Sequence, residues 1–237
     1  MEKLVFIPPM GHESNFFSLL IKELSGFDVI LLDYPESTTS LQGLAQYFAD
    51  LIRPLGPCYL VGLSLGATIS YPIKKILGDQ IKHIFAMATG GQKVARARKE
   101  MLLFAIENLS NDEMLKKILS LKEESFLEHF SHNKRQALEY LSSLREQWKS
   151  KPPQNLIQQL TFALNVDYES LMAEFQKSIT VIWAENDRIF SQRHLKKLKT
   201  IMPEAEFILI PDAGHYFPLE HPKHTAKVIS HHEIFNI

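Results

Sequence analysis

The chain has 237 residues, 45% of them hydrophobic and 22% charged, and a formal net charge of −1 at pH 7. That length suits one large domain or two small ones, with enough chain to bury a substantial core, and the near-neutral charge excludes a global pull toward nucleic acid or anionic membrane. A single cysteine, Cys58, excludes an internal disulfide framework and fits a reducing compartment.

The chain opens Met1-Glu-Lys3 and then runs apolar from Leu4 to Ile7. This run is too short for a signal-peptide core, and no later stretch approaches a membrane span, so a cytoplasmic location is expected. Strands are expected near Leu4–Ile7, Phe27–Leu32, Cys58–Gly62, His83–Ala88, Ile179–Ala184 and Glu206–Ile210. They are nearly continuous in apolar character, as befits strands covered on both faces of a parallel sheet. Between them lie amphipathic segments such as Ser40–Arg53, with Leu41, Leu44, Ala45, Phe48, Leu51 and Ile52 at helical spacing. Alternating strand and helix predict an α/β fold with right-handed crossovers. From about Gln92 to Phe175 no strand is expected. Helices are predicted over Leu102–Leu121, Lys122–Phe130, Arg135–Trp148 and Leu156–Leu164, with a break at Lys151-Pro-Pro153. Thr225–Ile237 reads as a final helix and a short tail.

The strongest local motif is Cys58-Tyr-Leu-Val-Gly62-Leu63-Ser64-Leu65-Gly66-Ala67, a Gly-x-Ser-x-Gly between a strand and a helix-compatible run. A serine hydroxyl is a weak nucleophile and must be presented exposed, beside a base. A sharp strand-to-helix turn does this at the expense of backbone strain, and its flanking positions need residues without side chains. The N–H of Leu65, at the start of the helix, would face a developing oxyanion.

Such a serine needs a histidine, and the chain has ten. His215 stands out in Pro211-Asp-Ala-Gly-His215, just past a strand, where functional groups of open α/β sheets collect. His231 and His232 are expected at the surface of the terminal helix. His83, His129, His132, His194, His221 and His224 read as surface or packing residues. Asp187, directly after the strand Ile179–Ala184, is the expected partner that orients the imidazole. Glu185 and Asp212 are its rivals, and Asp212 is alternatively a brace for the loop before His215. Asp33 also follows a strand but precedes the serine. Tyr216, beside His215, either lines a pocket or packs.

With these elements placed, the chain resembles the α/β-hydrolase superfamily. Gly62-Leu-Ser64-Leu-Gly66 is similar to the nucleophile elbow, and Trp183-Ala-Glu-Asn-Asp187-Arg to the acid loop. Pro203-Glu-Ala-Glu, Pro211-Asp-Ala-Gly-His215 and Leu219-Glu-His-Pro222 are similar to the histidine loop and its following turn. The resemblance covers Lys3–Gly90 and Lys177–Pro222. It implies a mostly parallel sheet of about six strands flanked by helices, lacking the two that usually come first. Residues 1–90 and 177–237 would form the core, and 91–176 an all-helical cap that excludes water and shapes an acyl pocket.

The resemblance further implies hydrolysis through an acyl-enzyme, without metal or organic cofactor, in the order Ser64, Asp187, His215. The oxyanion loop reads Ile7-Pro8-Pro9-Met10-Gly11-His12 rather than the more usual His-Gly. Pro8 and Pro9 have no N–H, which leaves Met10 or Gly11 as the second oxyanion donor, with Met10 favoured by position. Leu63 stands where many relatives carry His. A serine nucleophile disfavours epoxide hydrolase and dehalogenase chemistry, which needs an attacking carboxylate.

The expected substrate is a carboxylic ester with a small or medium acyl group. A thioester or carrier-linked methyl ester is the alternative, and a non-catalytic binding protein of the same fold is the rival of another class. The basic cluster Lys93, Arg96, Arg98 and Lys99 would suit an anionic acyl carrier, or is a solvated helix face.

Overall fold

The computed structural model describes residues 1–37, 40–91, 110, 113, 116, 131–132, 134–150 and 156–235. Six strands form one sheet: β1 (Lys3–Ile7), β2 (Asp28–Leu31), β3 (Cys58–Leu63), β4 (Ile81–Met87), β5 (Ile179–Ala184) and β6 (Glu206–Ile210). Their order is β2-β1-β3-β4-β5-β6, and every pair is parallel. The expected six-stranded parallel sheet is therefore present, with each strand within a residue or two of its expected place.

The unbroken apolar runs are explained by the layers. Leu4 and Phe6 of β1, Tyr59, Val61 and Leu63 of β3, and Ile182 and Ala184 of β5 face one core. Their alternates Val5, Ile7, Cys58, Leu60, Val181 and Trp183 face the other. With a side-chain period of two, both parities must be apolar when both faces are covered.

The first core is closed by α1 (Ser18–Ile21), α4 (Lys134–Ser150), α8 (Phe217–Glu220) and α9 (Pro222–Ser230) through Leu20, Trp148, Phe217 and Ile229. The second is closed by α2 (Leu41–Ile52), α3 (Leu65–Leu77), α6 (Glu169–Phe175) and α7 (Gln192–Ile201) through Phe48, Ile69, Met172 and Leu198. Helix α2 begins where the Ser40 hydroxyl accepts the Gly43 N–H, which satisfies one of the orphan donors of its first turn. Full burial of a side chain such as Phe48 contributes about 1.5–3 kcal/mol.

Helices α4, α5 (Leu156–Asn165) and α6 stand between β4 and β5. The helices expected over Leu102–Leu121 and Lys122–Phe130, and the basic cluster at residues 93–99, lie outside the described residues. No helix among the described residues is long and apolar enough to cross a membrane.

The chain leaves β1 toward β2 on one side and returns to β3 on the other. The loops after β1 and β3 thus diverge at the switch in strand order, where such sheets open a crevice.

One expectation fails at the opposite end of the sheet. His232 was expected at the surface and is 9% exposed. Its Nε2 lies 2.8 Å from the Thr180 hydroxyl and 2.7 Å from the Glu206 carboxylate. Helix α9 ends at Ser230, and the following turn folds back under the starts of β4–β6, so helical periodicity no longer predicts which side chain faces water.

Candidate active site

Ser64 stands between the end of β3 and the start of α3 with φ 56° and ψ −113°, a conformation that costs a non-glycine residue about 1–3 kcal/mol. The surroundings hold it there. Its N–H donates to Met87 O at 2.9 Å, and its carbonyl accepts the Thr68 N–H at 3.0 Å and the Thr68 hydroxyl at 2.9 Å. The flanking glycines are a steric requirement. A Cβ on Gly62 would lie 2.4 Å from Ala67 N, and one on Gly66 would lie 2.1 Å from Ile7 O and 2.6 Å from Pro8 O. The second contact shows how closely the start of α3 presses on the loop after β1. It places the first turn of this 13-residue helix, where Leu65 lies, against the Ile7–Pro8 backbone.

Of the two expected donors in that loop, Gly11 is engaged: its N–H donates to Gln159 Oε1 at 2.9 Å. Among the described residues the N–H groups of Met10 and Leu65 have no hydrogen-bond acceptor.

Asp187 and His215 meet across the ends of β5 and β6. His215 Nδ1 lies 2.9 Å from Asp187 Oδ2, with side-chain exposures of 2% and 0%. The other carboxylate oxygen accepts the N–H groups of Ile189 at 2.8 Å and Phe190 at 2.9 Å. A carboxylate held at both oxygens orients the ring it faces. An Nδ1–H donated to it leaves the imidazole lone pair on Nε2, the nitrogen a general base uses.

The rival acids do other work. Glu185 accepts the Asp212 N–H at 3.0 Å, and the Asn186 N–H donates to Ala213 O at 2.9 Å, so the acid loop and histidine loop are stitched together. Asp212, at φ 53°, pairs with His132 Nε2 at 2.9 Å. Asp33 accepts the Ser14 N–H at 2.5 Å and the Ser14 hydroxyl at 3.1 Å. Among the other histidines, His194 joins Ser191 in the capping box of α7, and His221 Nε2 bonds Asp212 O at 3.0 Å.

A second ring of residues was not expected from the sequence. His12 is 5% exposed; its Nδ1 lies 2.9 Å from the Tyr140 hydroxyl and its Nε2 lies 2.8 Å from the Tyr216 hydroxyl. Burial, with repulsion from His215 second, pulls its pKa down to about 3, so the ring is neutral and one nitrogen donates while the other accepts. Burial raises both phenols, with Glu13 adding for Tyr140 and Tyr140 for Tyr216. Tyr216 is thereby a buried residue whose hydroxyl is committed to His12. The Trp148 Nε1–H donates to Gly11 O at 3.1 Å. Glu220 takes the Gly214 N–H at 3.2 Å and the His132 N–H at 3.1 Å. These contacts span 128, 137 and 204 residues for His12–Tyr140, Gly11–Trp148 and His12–Tyr216, and no local pattern announces them. The one available signal was the departure at Gly11-His12 from the usual loop. Among the described residues no group of three or more His, Cys, Asp or Glu side chains is placed to hold a metal ion.

Comparison with known proteins agrees with this fold. Residues 4–227 match a family model described as the alpha/beta hydrolase family. Among solved structures, the chain is similar to a thermophilic esterase from Thermogutta terrifontis, at 20% identity and TM-score 0.82, over 98% of this chain and 89% of that one. It is similar to an enol-lactonase from Burkholderia xenovorans LB400, at 13% identity and TM-score 0.79, over 97% of this chain and 90% of that one. A hydrolase from Oleispira antarctica has 16% identity and TM-score 0.76, over 98% of this chain and 90% of that one. At these identities the likeness speaks to the fold alone. No curated protein matches the chain.

Proposed function

We propose that this chain, which belongs to the alpha/beta hydrolase family, hydrolyses a carboxylic ester of a small or medium acyl group with Ser64 as nucleophile, His215 as general base and Asp187 as its orienting partner. The observation that carries the reading is the buried 2.9 Å contact of His215 Nδ1 with Asp187 Oδ2, at the same end of the sheet as a serine held at φ 56° between two obligatory glycines.

In this reading the Ser64 oxygen attacks the ester carbonyl while His215 Nε2 takes its proton. The carbonyl electron pair moves onto oxygen, where the N–H groups of Leu65 and Met10 receive it. Collapse of the tetrahedral adduct breaks the bond to the alkoxy group, which leaves as alcohol with the proton from His215. Water, deprotonated by the same nitrogen, then attacks the acyl-serine and releases the acid. Asp187 stabilises the imidazolium at both stages without taking the proton. Residues 91–176 serve as the cap over this site. The esterase and enol-lactonase named above favour an ester-type substrate as the first class to try.

The test is a panel of p-nitrophenyl esters of graded chain length with Ser64→Ala as control, alongside labelling by a fluorophosphonate probe. The expected result is hydrolysis and labelling by the wild type, with a fall of about 10³-fold or more in kcat for Ser64→Ala. A folded wild type that neither hydrolyses any ester nor takes the label would replace this reading with that of a binding protein of the same fold.

A further inference from the structure

The loop after β1 owes little of its shape to itself. Pro8 and Pro9 supply no N–H. Within it the His12 N–H donates to Pro9 O at 3.2 Å, and from outside it the Tyr34 hydroxyl donates to Pro8 O at 2.8 Å. Gly11, at φ +77°, is the joint with the most conformational freedom. Yet Gly11 is held on both sides. Its N–H is taken by Gln159 of α5 at 2.9 Å, and its carbonyl accepts the Trp148 Nε1–H of α4 at 3.1 Å. One residue further, His12 is held by Tyr140 of α4 at 2.9 Å and by Tyr216 at 2.8 Å. Trp148 is 6% exposed and Gln159 2%. Apolar groups of similar shape would fill those spaces as well, so the packing of the insertion does not explain why hydrogen-bonding atoms are buried there.

We infer that Tyr140, Trp148 and Gln159 are positioning residues: by pinning Gly11 and His12, the helical insertion sets the direction of the Met10 N–H and thereby governs oxyanion stabilisation. The inference rests on the proposed reaction for its catalytic consequence. The peptide between Met10 and Gly11 is fixed at its N–H end by Gln159, and the next peptide at its carbonyl by Trp148. The Met10 N–H belongs to the peptide whose carbonyl, Pro9 O, accepts the His12 N–H at 3.2 Å, so holding Gly11 and His12 also holds that peptide. Through His12 the same pins reach Tyr216, whose ring lies 5.7 Å from that of His215. The oxyanion loop, the histidine loop and the insertion thus share one connected set of hydrogen bonds, so the donor is aligned only while the insertion is seated.

The variants that test this remove one polar atom and keep the packing: Trp148→Phe, Gln159→Leu and Tyr140→Phe. Each is expected to lower kcat for a p-nitrophenyl ester about tenfold while KM stays within about threefold, the signature of an interaction made in the transition state. In Trp148→Phe, which leaves the Gly11 N–H and its acceptor intact, the Gly11 amide is expected to exchange with solvent about tenfold faster. If wild type is active, and Ser64→Ala is not, but the variants keep kcat or alter only KM, the inference is wrong and the reaction stands. If wild type hydrolyses no ester and takes no label, the proposed reaction is wrong, and amide exchange alone judges the clamp. Faster exchange at Gly11 in folded Trp148→Phe then upholds it, and unchanged exchange overturns it.

Discussion

At the scale of single residues, the site is built from positions where almost nothing else fits. Ser64 sits in a conformation that β-carbons resist, and it stays there because Met87 and Thr68 occupy its backbone groups. Gly66 is the more severe constraint, since its missing Cβ would fall 2.1 Å from a backbone oxygen that cannot rotate away. Gly66→Ala must push the start of α3 off the Ile7–Pro8 backbone. The expected loss of stability is about 2–4 kcal/mol, with a fall in activity although Ser64, Asp187 and His215 are untouched. Urea denaturation checks the first part; an unchanged midpoint would show that the loop after β1 yields easily. The motif announced a need for glycine here, but the surface that enforces it belongs to a strand about sixty residues earlier in sequence.

At the scale of elements, the histidine loop is held by the short helix on its C-terminal side. Helix α8 is only four residues long, yet its last residue, Glu220, is 4% exposed and turns back to accept the Gly214 N–H at 3.2 Å. Its Oε2 also receives the His132 N–H at 3.1 Å. Gly214 is packed so closely that a Cβ would lie 2.7 Å from His132 N. The carboxylate therefore joins the insertion to the loop that carries His215. Glu220→Gln places an NH2 where at least one N–H now points, and leaving a buried donor unmet costs about 1–3 kcal/mol. The expected outcome is a lower melting temperature together with a reduced kcat, measured on the same preparation. A drop in stability alone would confine Glu220 to holding the fold. The Leu219-Glu-His-Pro222 segment was recognisable as a turn after His215, whereas the direction of its carboxylate was not, because the Gly214 and His132 N–H groups it accepts are backbone groups that any sequence possesses.

At the scale of the whole molecule, two apolar layers leave few places for charge, yet of the described histidines His12, His83, His215 and His232 are buried. Burial pulls His12 down to about 3, with His215 as second cause, and pulls His83 down to about 3, with His232 and Lys74 adding repulsion. Both are neutral in the fold but would titrate near 6.5 in the unfolded chain. Between pH 6.5 and about 3 the unfolded chain binds more protons, so stability is fully present above pH 6.5 and falls as the pH falls. At pH 5 each histidine removes about 2 kcal/mol, a large share of a stability of about 5–15 kcal/mol. Chemical denaturation at pH 7 and pH 5 should show this loss, and His83→Gln should reduce it by about half. An equal loss in wild type and His83→Gln would mean that His83 is protonated in the folded protein.

What the amino-acid sequence determined by itself is what short-range physics encodes. Strand after strand carries apolar residues at both parities, which only a doubly covered parallel sheet satisfies. Gly62-Leu-Ser64-Leu-Gly66 between a strand and a helix specifies a strained turn, because turn chemistry is local. The loops bearing Asp187 and His215 follow the ends of β5 and β6, neighbours in the sheet, and their side chains stand 2.9 Å apart. The tertiary structure alone decided the rest. Gly11 rather than Met10 is bonded to Gln159, 148 residues away. His12, passed over among ten histidines, is buried between two tyrosines. His232, expected in water, lies under the sheet. Each of these is a buried polar group, and its partner is chosen by which chain segments happen to meet rather than by the residues beside it. Apolar burial is non-directional and repeats with the period of its element, so it can be read along the chain; a buried hydrogen bond is directional and joins two particular atoms, so it exists only once the fold has brought them together.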